Sequence, residues 1–487
     1  MSALNRQILS ATAWGAISAW GTRFTSIVVF FIVTRLLAPE AVGAVALLTA
    51  VVVVLQLLGE LSIGDYVVRA DEVLPEQLDS IFWVQLGLAS VLAVVLCLAS
   101  PLVLPSLHGD QGFGEIVPAM ALLLPLFAAT RVPEALLRRN LAFQKLATRN
   151  LIAAMSGGAL GVALAALGFG VWALVLKMVC EAVLGLALVL RLGGWTPRLR
   201  WSKAALAAPL GFGLPLLGSR FITMLMAKLD TFVIGHFLGP ATLGIYAVAL
   251  RIYQIVQETF TSVADSVALP LLSSATQDRQ RTKEMYLKLT KSATLLSMSA
   301  HAILVVCAPF ALPVLLGPKW NSSIQPLQVL SLIGMTVGPL WFNAALHVAA
   351  GRTRAWMWAI AGSCLLTLIL FVIGVQLYGV LGVVLAMVVK LLIWMPLSIH
   401  MARKISGHSP RELGEVLRPC AIVAGSTAIA GLAAAFASVW AGVSTLAALI
   451  SVAMAAGVAF AAAAWINIAE ARRLVSHVLS SRPRSGA

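Results

Sequence analysis

Fourteen apolar stretches, each long enough at about twenty residues to cross the hydrocarbon core of a bilayer, follow one another along this chain with short polar interruptions. They run approximately over residues 14–37, 42–66, 80–104, 116–137, 147–168, 171–192, 207–238, 242–268, 290–315, 326–349, 356–376, 379–400, 418–440 and 443–468. Backbone N–H and C=O groups meet no water inside a bilayer, so spans of this length must be helices; barrel strands would be shorter and would alternate. The expected fold is an all-α polytopic membrane protein of about 14 transmembrane helices. Composition agrees, with 60% hydrophobic and 11% charged residues where a soluble chain would run to ~25% charged. The first stretch has neither a strong charged leader nor a small-residue cleavage site and is followed at once by another, so it is expected to be a retained span. The five cysteines stand singly in apolar segments without metal-ligand spacing, which predicts neither disulfides nor a metal site.

The basic residues set the expected orientation. With the spans alternating, one set of loops and both tails holds 25 of the 34 Lys and Arg residues, the other set holds only Arg35 and Lys319, and seven fall within or at the ends of spans. The positive-inside rule then places both termini in the cytoplasm. The formal charge of +15 is read as a topology signal dispersed over loops, and no nucleic-acid partner is expected. The outward loops are too short to build a domain, whereas the inward segment 273–291 suits the surface of the inner leaflet.

An internal repeat organises the rest. "GTRF" at 21–24 returns as "GSRF" at 218–221, "LLAPEAVG" at 36–43 as "FLGPATLG" at 237–244, and "FGVWALV" at 169–175 loosely as "YGVLGVV" at 378–384. The separations are 220 − 23 = 197, 240 − 39 = 201 and 379 − 170 = 209. Each half therefore holds about six spans, and an even number puts the halves in parallel orientation about an axis along the membrane normal. The expected domains are a six-helix lobe at 1–195, a second at 196–405, and two extra helices with a basic cytoplasmic tail at 406–487. Two parallel bundles with a cleft between them is a transporter plan.

The segments "FFIVTRLLAPEAVGAVALLTA", "GDYVVRADEVLPEQLDSIFWVQLGL", "RVPEALLRRNLAFQKLATRNL", "LGFGVWALV" and "FGLPLLGSRFITMLMAKLDTFVIGHFLGPATLGIYAVALRIYQI" occur in this order. In them the chain resembles the polysaccharide transporter family, with its Wzx-type oligosaccharide flippases, of the multidrug/oligosaccharidyl-lipid/polysaccharide flippase superfamily. The similarity extends over roughly residues 10 to 400. It implies two lobes around a cation-lined cavity that opens alternately to cytoplasm and periplasm in a bacterial inner membrane. The implied cargo is an oligosaccharide on undecaprenyl pyrophosphate, and the implied partners are membrane lipids, a periplasmic polymerase and a chain-length regulator.

A charge inside a span costs ~2.5 to 3.5 kcal/mol on insertion scales, so each such residue should face a partner or a wet cavity. Arg23 and Arg220 occupy equivalent places in the two halves, and Arg251 lies nine residues into a later span. With Lys228 and Asp230 they are the candidate cargo-binding residues, Arg being suited to phosphates by its permanent charge and planar fork of donors. Asp230 could instead pair with a neighbouring cation. Glu60, Asp65, Glu258 and Asp265 are candidates for ion coupling, against capping or locking roles. Lys177 and Glu181 are spaced to pair. His301 and His347 have no partner at i+4 and read as core polar contacts. The glycines and proline of "PLGFGLPLLG" at 209–218 predict a bend in the seventh span. No Walker A, HExxH or GxSxG sequence is present, and no enzyme activity or cofactor is expected. The competing readings are a cation-coupled multidrug or lipid II exporter, which would centre on carboxylates, and a membrane polymerase or ligase, which would need a large outer loop.

Overall fold

The computed structural model describes residues 3–103, 113–276 and 278–467. Among them every regular element is helical. The order is α1 (Ala3–Leu36), α2 (Pro39–Glu60), α3 (Gly64–Arg69), α4 (Pro75–Val103), α5 (Phe113–Ala121), α6 (Leu123–Arg139), α7 (Phe143–Ala166) and α8 (Val171–Gly193). Then come α9 (Lys203–Ala227), α10 (Leu229–Ala275), α11 (Arg279–Leu315), α12 (Ile324–Val337), α13 (Asn343–Ala349), α14 (Thr353–Ser406), α15 (Pro410–Trp440) and α16 (Thr445–Asn467). The tail after residue 467 lies outside the described residues.

These elements account for the fourteen expected spans. Helices α5 and α6 make one crossing, and so do α12 and α13 with the turns beside them. The 54 residues of α14 exceed the roughly twenty a bilayer needs. The helix breaks where Gly379 takes φ 59, so α14 supplies two crossings. Likewise α10 breaks at Gly239, with φ 77, a left-handed backbone that a residue with a Cβ resists. The expected bend in the seventh span is placed differently. Helix α9 keeps helical backbone through Gly211, Gly213, Pro215 and Gly218, and the interruption falls at Lys228. A proline ring normally collides with the turn before it, but the residue four before Pro215 is Gly211, which has no side chain to add to that crowding.

By backbone contacts the chain divides into two compact units, Met1–Ala247 and Val248–Ala487. In the first, α2, α4, α5, α6 and α8 surround a core in which Val52, Ile116, Met120 and Leu123 are at most 1% exposed. Helix α1 packs on α7, and α7 on α8, where Gly157, Gly158 and Gly161 leave room for Glu181, Val29 and Lys177. Lys177 and Glu181 pair at 2.8 Å, as their spacing predicts. In the second unit α11 is central, packing against α12, α14, α15 and α16. The outer faces of α15 and α16 stay apolar and exposed, as at Phe436, Val439 and Met454, which suits contact with lipid.

The repeated turn marks a close crossing inside the first unit. A Cβ at Gly43 would overlap the carbonyl oxygen of Pro240, and a Cβ at Gly244 would overlap that of Pro39. The two Pro-x-x-x-Gly segments thus touch reciprocally, each glycine against the other's proline. Small residues four apart let helix backbones approach closely where the solvent is lipid.

Candidate functional site

The first unit holds a small polar pocket assembled from five elements. Helix α2 brings Glu60 at its last residue. The chain then passes through Leu61 and Ser62 with φ of 51 and 53, an unusual conformation that turns it sharply into α3 and brings Asp65 to the wall. Helix α4 adds Gln85, α6 adds Arg131, Glu134 and Arg138, and α9 adds Arg220. Three contacts fasten the α2–α3 connection. Arg139 on α6 donates to the carbonyls of Val67 (2.9 Å), Ala70 and Asp71 (2.6 Å); Phe212 on α9 packs between Tyr66 and Arg69; and Gly213 lies against the carbonyl of Leu61.

Charge on the wall alternates. Arg131 contacts Glu60 at 2.5 Å and Glu134 at 3.6 Å, and Glu134 in turn pairs with Arg149 of α7, which also donates to the carbonyl of Gly185 on α8 at 3.0 Å. Gln56 donates to Glu60 at 2.7 Å. This chain ties α2, α6, α7 and α8 together and keeps every buried charge beside an opposite one, as a low-dielectric interior requires. Across the pocket Arg220 pairs with Asp65 at 2.8 Å, with the two side chains 48% and 43% exposed. Much of both side chains is exposed, although Asp65 Oδ2, the oxygen in the contact, is itself buried.

Of the nine residues singled out in the sequence, Glu60, Asp65 and Arg220 meet at this pocket. Arg23 is half-buried in α1. Lys228 closes α9, its N–H reaching the carbonyls of Met224 and Leu225. Asp230 is buried and accepts hydrogen bonds from Tyr246 Oη (2.6 Å), Thr231 N (2.7 Å) and Thr231 Oγ1 (3.3 Å), where the sequence suggested an ion pair. In the second unit Arg251 pairs at 3.1 Å with Glu258, two turns further along α10. The side chain of Asp265 lies outside the described residues. His301 and His347 are buried, each ring Nδ1 against the carbonyl four residues back, in keeping with a core polar role.

Sequence reading missed Arg131, Glu134 and Gln85. The signal was available, because Arg131 and Glu134 are ionisable residues three apart inside the fourth span, the same feature that drew notice to Arg23. Arg149 was counted only as a topology charge, yet its side chain is 14% exposed and pairs with Glu134.

Residues 32–325 match the model of a family described as polysaccharide biosynthesis protein. The chain is 29% identical over 320 residues to the succinoglycan biosynthesis transport protein ExoT of Rhizobium meliloti, covering 66% of this chain and 64% of that protein. It therefore spans just under two thirds of that relative. It is 23% identical over 419 residues to the lipopolysaccharide biosynthesis protein WzxC of Escherichia coli, covering 84% of each. Among solved structures, the lipid II flippase MurJ in an inward closed conformation superposes with a TM-score of 0.74 at 11% identity, over 95% of this chain and 99% of that one. An inward-facing multidrug resistance MATE family transporter superposes with a TM-score of 0.60 at 17% identity, over 80% and 96%. At these identities the structural likenesses speak for the fold alone.

Proposed function

The chain belongs to the polysaccharide biosynthesis protein family, among the membrane transporters of the multidrug/oligosaccharidyl-lipid/polysaccharide flippase superfamily, and on that premise we propose that it flips lipid-linked oligosaccharides. The cargo in this reading is an oligosaccharide repeat unit on undecaprenyl pyrophosphate. It moves from the cytoplasmic to the periplasmic leaflet of a bacterial inner membrane, for exopolysaccharide, capsule or lipopolysaccharide synthesis. The protein performs no bond chemistry; a periplasmic polymerase would consume the product.

The observation that carries the reading is the Arg220–Asp65 pair on the wall of a polar pocket among apolar helices. Pyrophosphate offers the guanidinium fork a doubly charged acceptor in place of one carboxylate, so cargo displaces Asp65 and Asp65 holds the site between cargoes. Arg23 is assigned the equivalent task in the first half, and Arg251, with Glu258 as its resting partner, a further contact along the path. Lys228 and Asp230, which follow Arg220 in sequence, complete the proposed set. Where a proton or sodium ion drives the cycle, Glu60, Asp65, Glu258 and Asp265 are its proposed sites.

Replacing Arg23 and Arg220 together by Ala tests this. Protein level and membrane insertion should stay near normal while polymer export falls and lipid-linked units accumulate on the inner leaflet. Lys at both positions should rescue in part, supplying charge without the fork. Normal export from the double Ala variant would sink the assignment.

A further inference from the structure

We propose that the connection between α8 and α9 is an interfacial anchor that binds the anionic headgroups of inner-leaflet phospholipids, a role that goes beyond cargo transport and does not depend on it. Residues 194–202 form no regular element, yet their backbone is fastened to α4 at three points. Arg198 N–H donates to Asp79 Oδ1 at 3.0 Å, the carbonyl of Arg198 accepts from Trp83 Nε1 at 2.8 Å, and Ser202 N–H donates to Ser80 Oγ at 3.1 Å. Trp195 adds an edge-on ring contact with Phe82 at 5.7 Å. Asp79 and Ser80 are 2% and 0% exposed, so two buried polar side chains of α4 hold in place a connection that would ordinarily be mobile.

What the fastened connection presents outward selects the partner. Leu199 is 90% exposed and Trp201 58%, and the exposed Arg198, Arg200 and Lys203 alternate with them along the chain. No acidic residue occurs between Glu181 and Asp230, and α4 brings only Glu76 and Asp79, the latter already occupied by the N–H of Arg198. The patch is therefore cationic. Its level is set by the hydrogen bonds, because Asp79 and Trp83 stand four and eight residues after Pro75, ~6 to 12 Å along α4. The apolar run of α4 begins there, at about residue 80, so the connection lies level with the start of the hydrocarbon rather than out in the cytoplasm. Trp favours that level, its ring against acyl chains and its N–H among headgroups, while Arg and Lys reach from it to phosphates. The occupant that meets an apolar pair and three cations at this level is an anionic phospholipid.

The test uses the full-length chain in nanodiscs of phosphatidylcholine alone or in equal parts with phosphatidylglycerol. A fluorophore on Leu199→Cys, in a chain lacking its five native cysteines, should be quenched by lipid carrying a shallow spin label and shielded from aqueous iodide. Replacing Arg198, Arg200 and Lys203 together by Gln should lower the affinity for phosphatidylglycerol, read by native mass spectrometry, at least tenfold, since each basic side chain near an anionic surface is worth about fivefold. Asp79→Ala separates an anchor from simple attraction. It deletes a negative charge, so charge alone would strengthen retention of phosphatidylglycerol, whereas release of the connection weakens it. Ser80→Ala leaves the charge unchanged, should act in the same direction, and guards against misfolding of the Asp79 variant. A fluorophore quenched by iodide and not by lipid overturns the anchor, as does unchanged retention in the triple Gln variant or stronger retention in Asp79→Ala. Loss of farnesyl diphosphate binding in the triple variant with phosphatidylglycerol retained would make the patch a cargo contact and overturns the proposal too. None of these results removes the flippase reading.

Discussion

Glu134 is the residue on which the pocket's charge chain turns, because it serves Arg131 and Arg149 at once while its own side chain is 10% exposed. Removing it leaves two guanidinium groups in the interior with less than their full complement of counter-charge, a situation that costs about 3–5 kcal/mol in comparable buried pairs. Glu134→Ala should therefore lower the thermal midpoint in detergent sharply, and Glu134→Gln, which retains a hydrogen-bond acceptor, should fall in between. A midpoint within a degree of the wild type would show that the chain of ion pairs contributes little. A second residue, His408, gives a pH signature at the connection between α14 and α15. Ser406 Oγ donates its single proton to the carbonyl of Ala402 at 3.0 Å, so His408 Nδ1–H must be the donor in the 2.7 Å contact between them. That leaves Nε2 unprotonated and buried, with the ring stacked on Tyr286 at 5.2 Å. Burial pushes the imidazole below its usual value, Glu412 opposes that, and Arg403 adds to it. The folded protein thus binds the proton less readily than the unfolded chain, so the stability from neutral His408 is complete above about pH 6.5 and is lost as pH falls towards the folded value. Between pH 8 and pH 5 the melting midpoint should drop less in His408→Gln than in the wild type. Equal slopes would remove His408 from the pH response. Little of this was legible in the sequence: Glu60, Asp65 and Arg220 could be named from their positions, but that Arg131 bridges two carboxylates depends on which faces of α2 and α6 meet.

At the scale of elements, the apolar runs located the helices well, because the bilayer imposes length and internal hydrogen bonding on any span. Breaks were harder. Gly239 and Gly379 interrupt helices at repeated marks visible in the sequence, whereas the glycines of α9 do not, since a glycine permits a break without requiring one. What the repeat could not reveal is that its two Pro-x-x-x-Gly segments lie against each other. Replacing Gly43 or Gly244 with Val puts a branched side chain into a backbone, and overpacking of this kind costs about 1–3 kcal/mol or drives the helices apart. Either variant should melt earlier. Gly87→Ala on α4 is the matched control, because a Cβ there meets nothing within 4 Å, and it should be neutral or mildly stabilising. If all three variants melt alike, the crossing has no special tightness.

For the whole molecule the question is what moves and what drives it. Nothing in the sequence offers nucleotide hydrolysis, and outward transfer of two phosphate charges from a negative cytoplasm would release up to ~4.6 kcal/mol per 100 mV, at ~2.3 per charge. The potential biases that transfer along any path, but moving one cargo per cycle requires that the two faces of the path never open together, which is the reason to propose rocking of the two halves rather than a continuous groove. The reciprocal contact of Gly43 with Pro240 and of Gly244 with Pro39 provides the reporter. Spin labels on cysteines introduced at Ala41 and Thr242, in a chain lacking its five native cysteines, sit beside that crossing and should show a short, narrow distance distribution when it is closed. Adding a lipid pyrophosphate oligosaccharide should broaden or lengthen the distribution, because a ligand shifts an equilibrium only through unequal affinity for its states. The shift should shrink when Arg23 and Arg220 are both Ala, since the unequal affinity is then assigned to groups no longer present. A distribution that stays narrow with cargo bound would mean that lipid passes along a rigid groove, in which case the membrane potential could bias exchange between leaflets but no gate would couple it to one cargo per cycle.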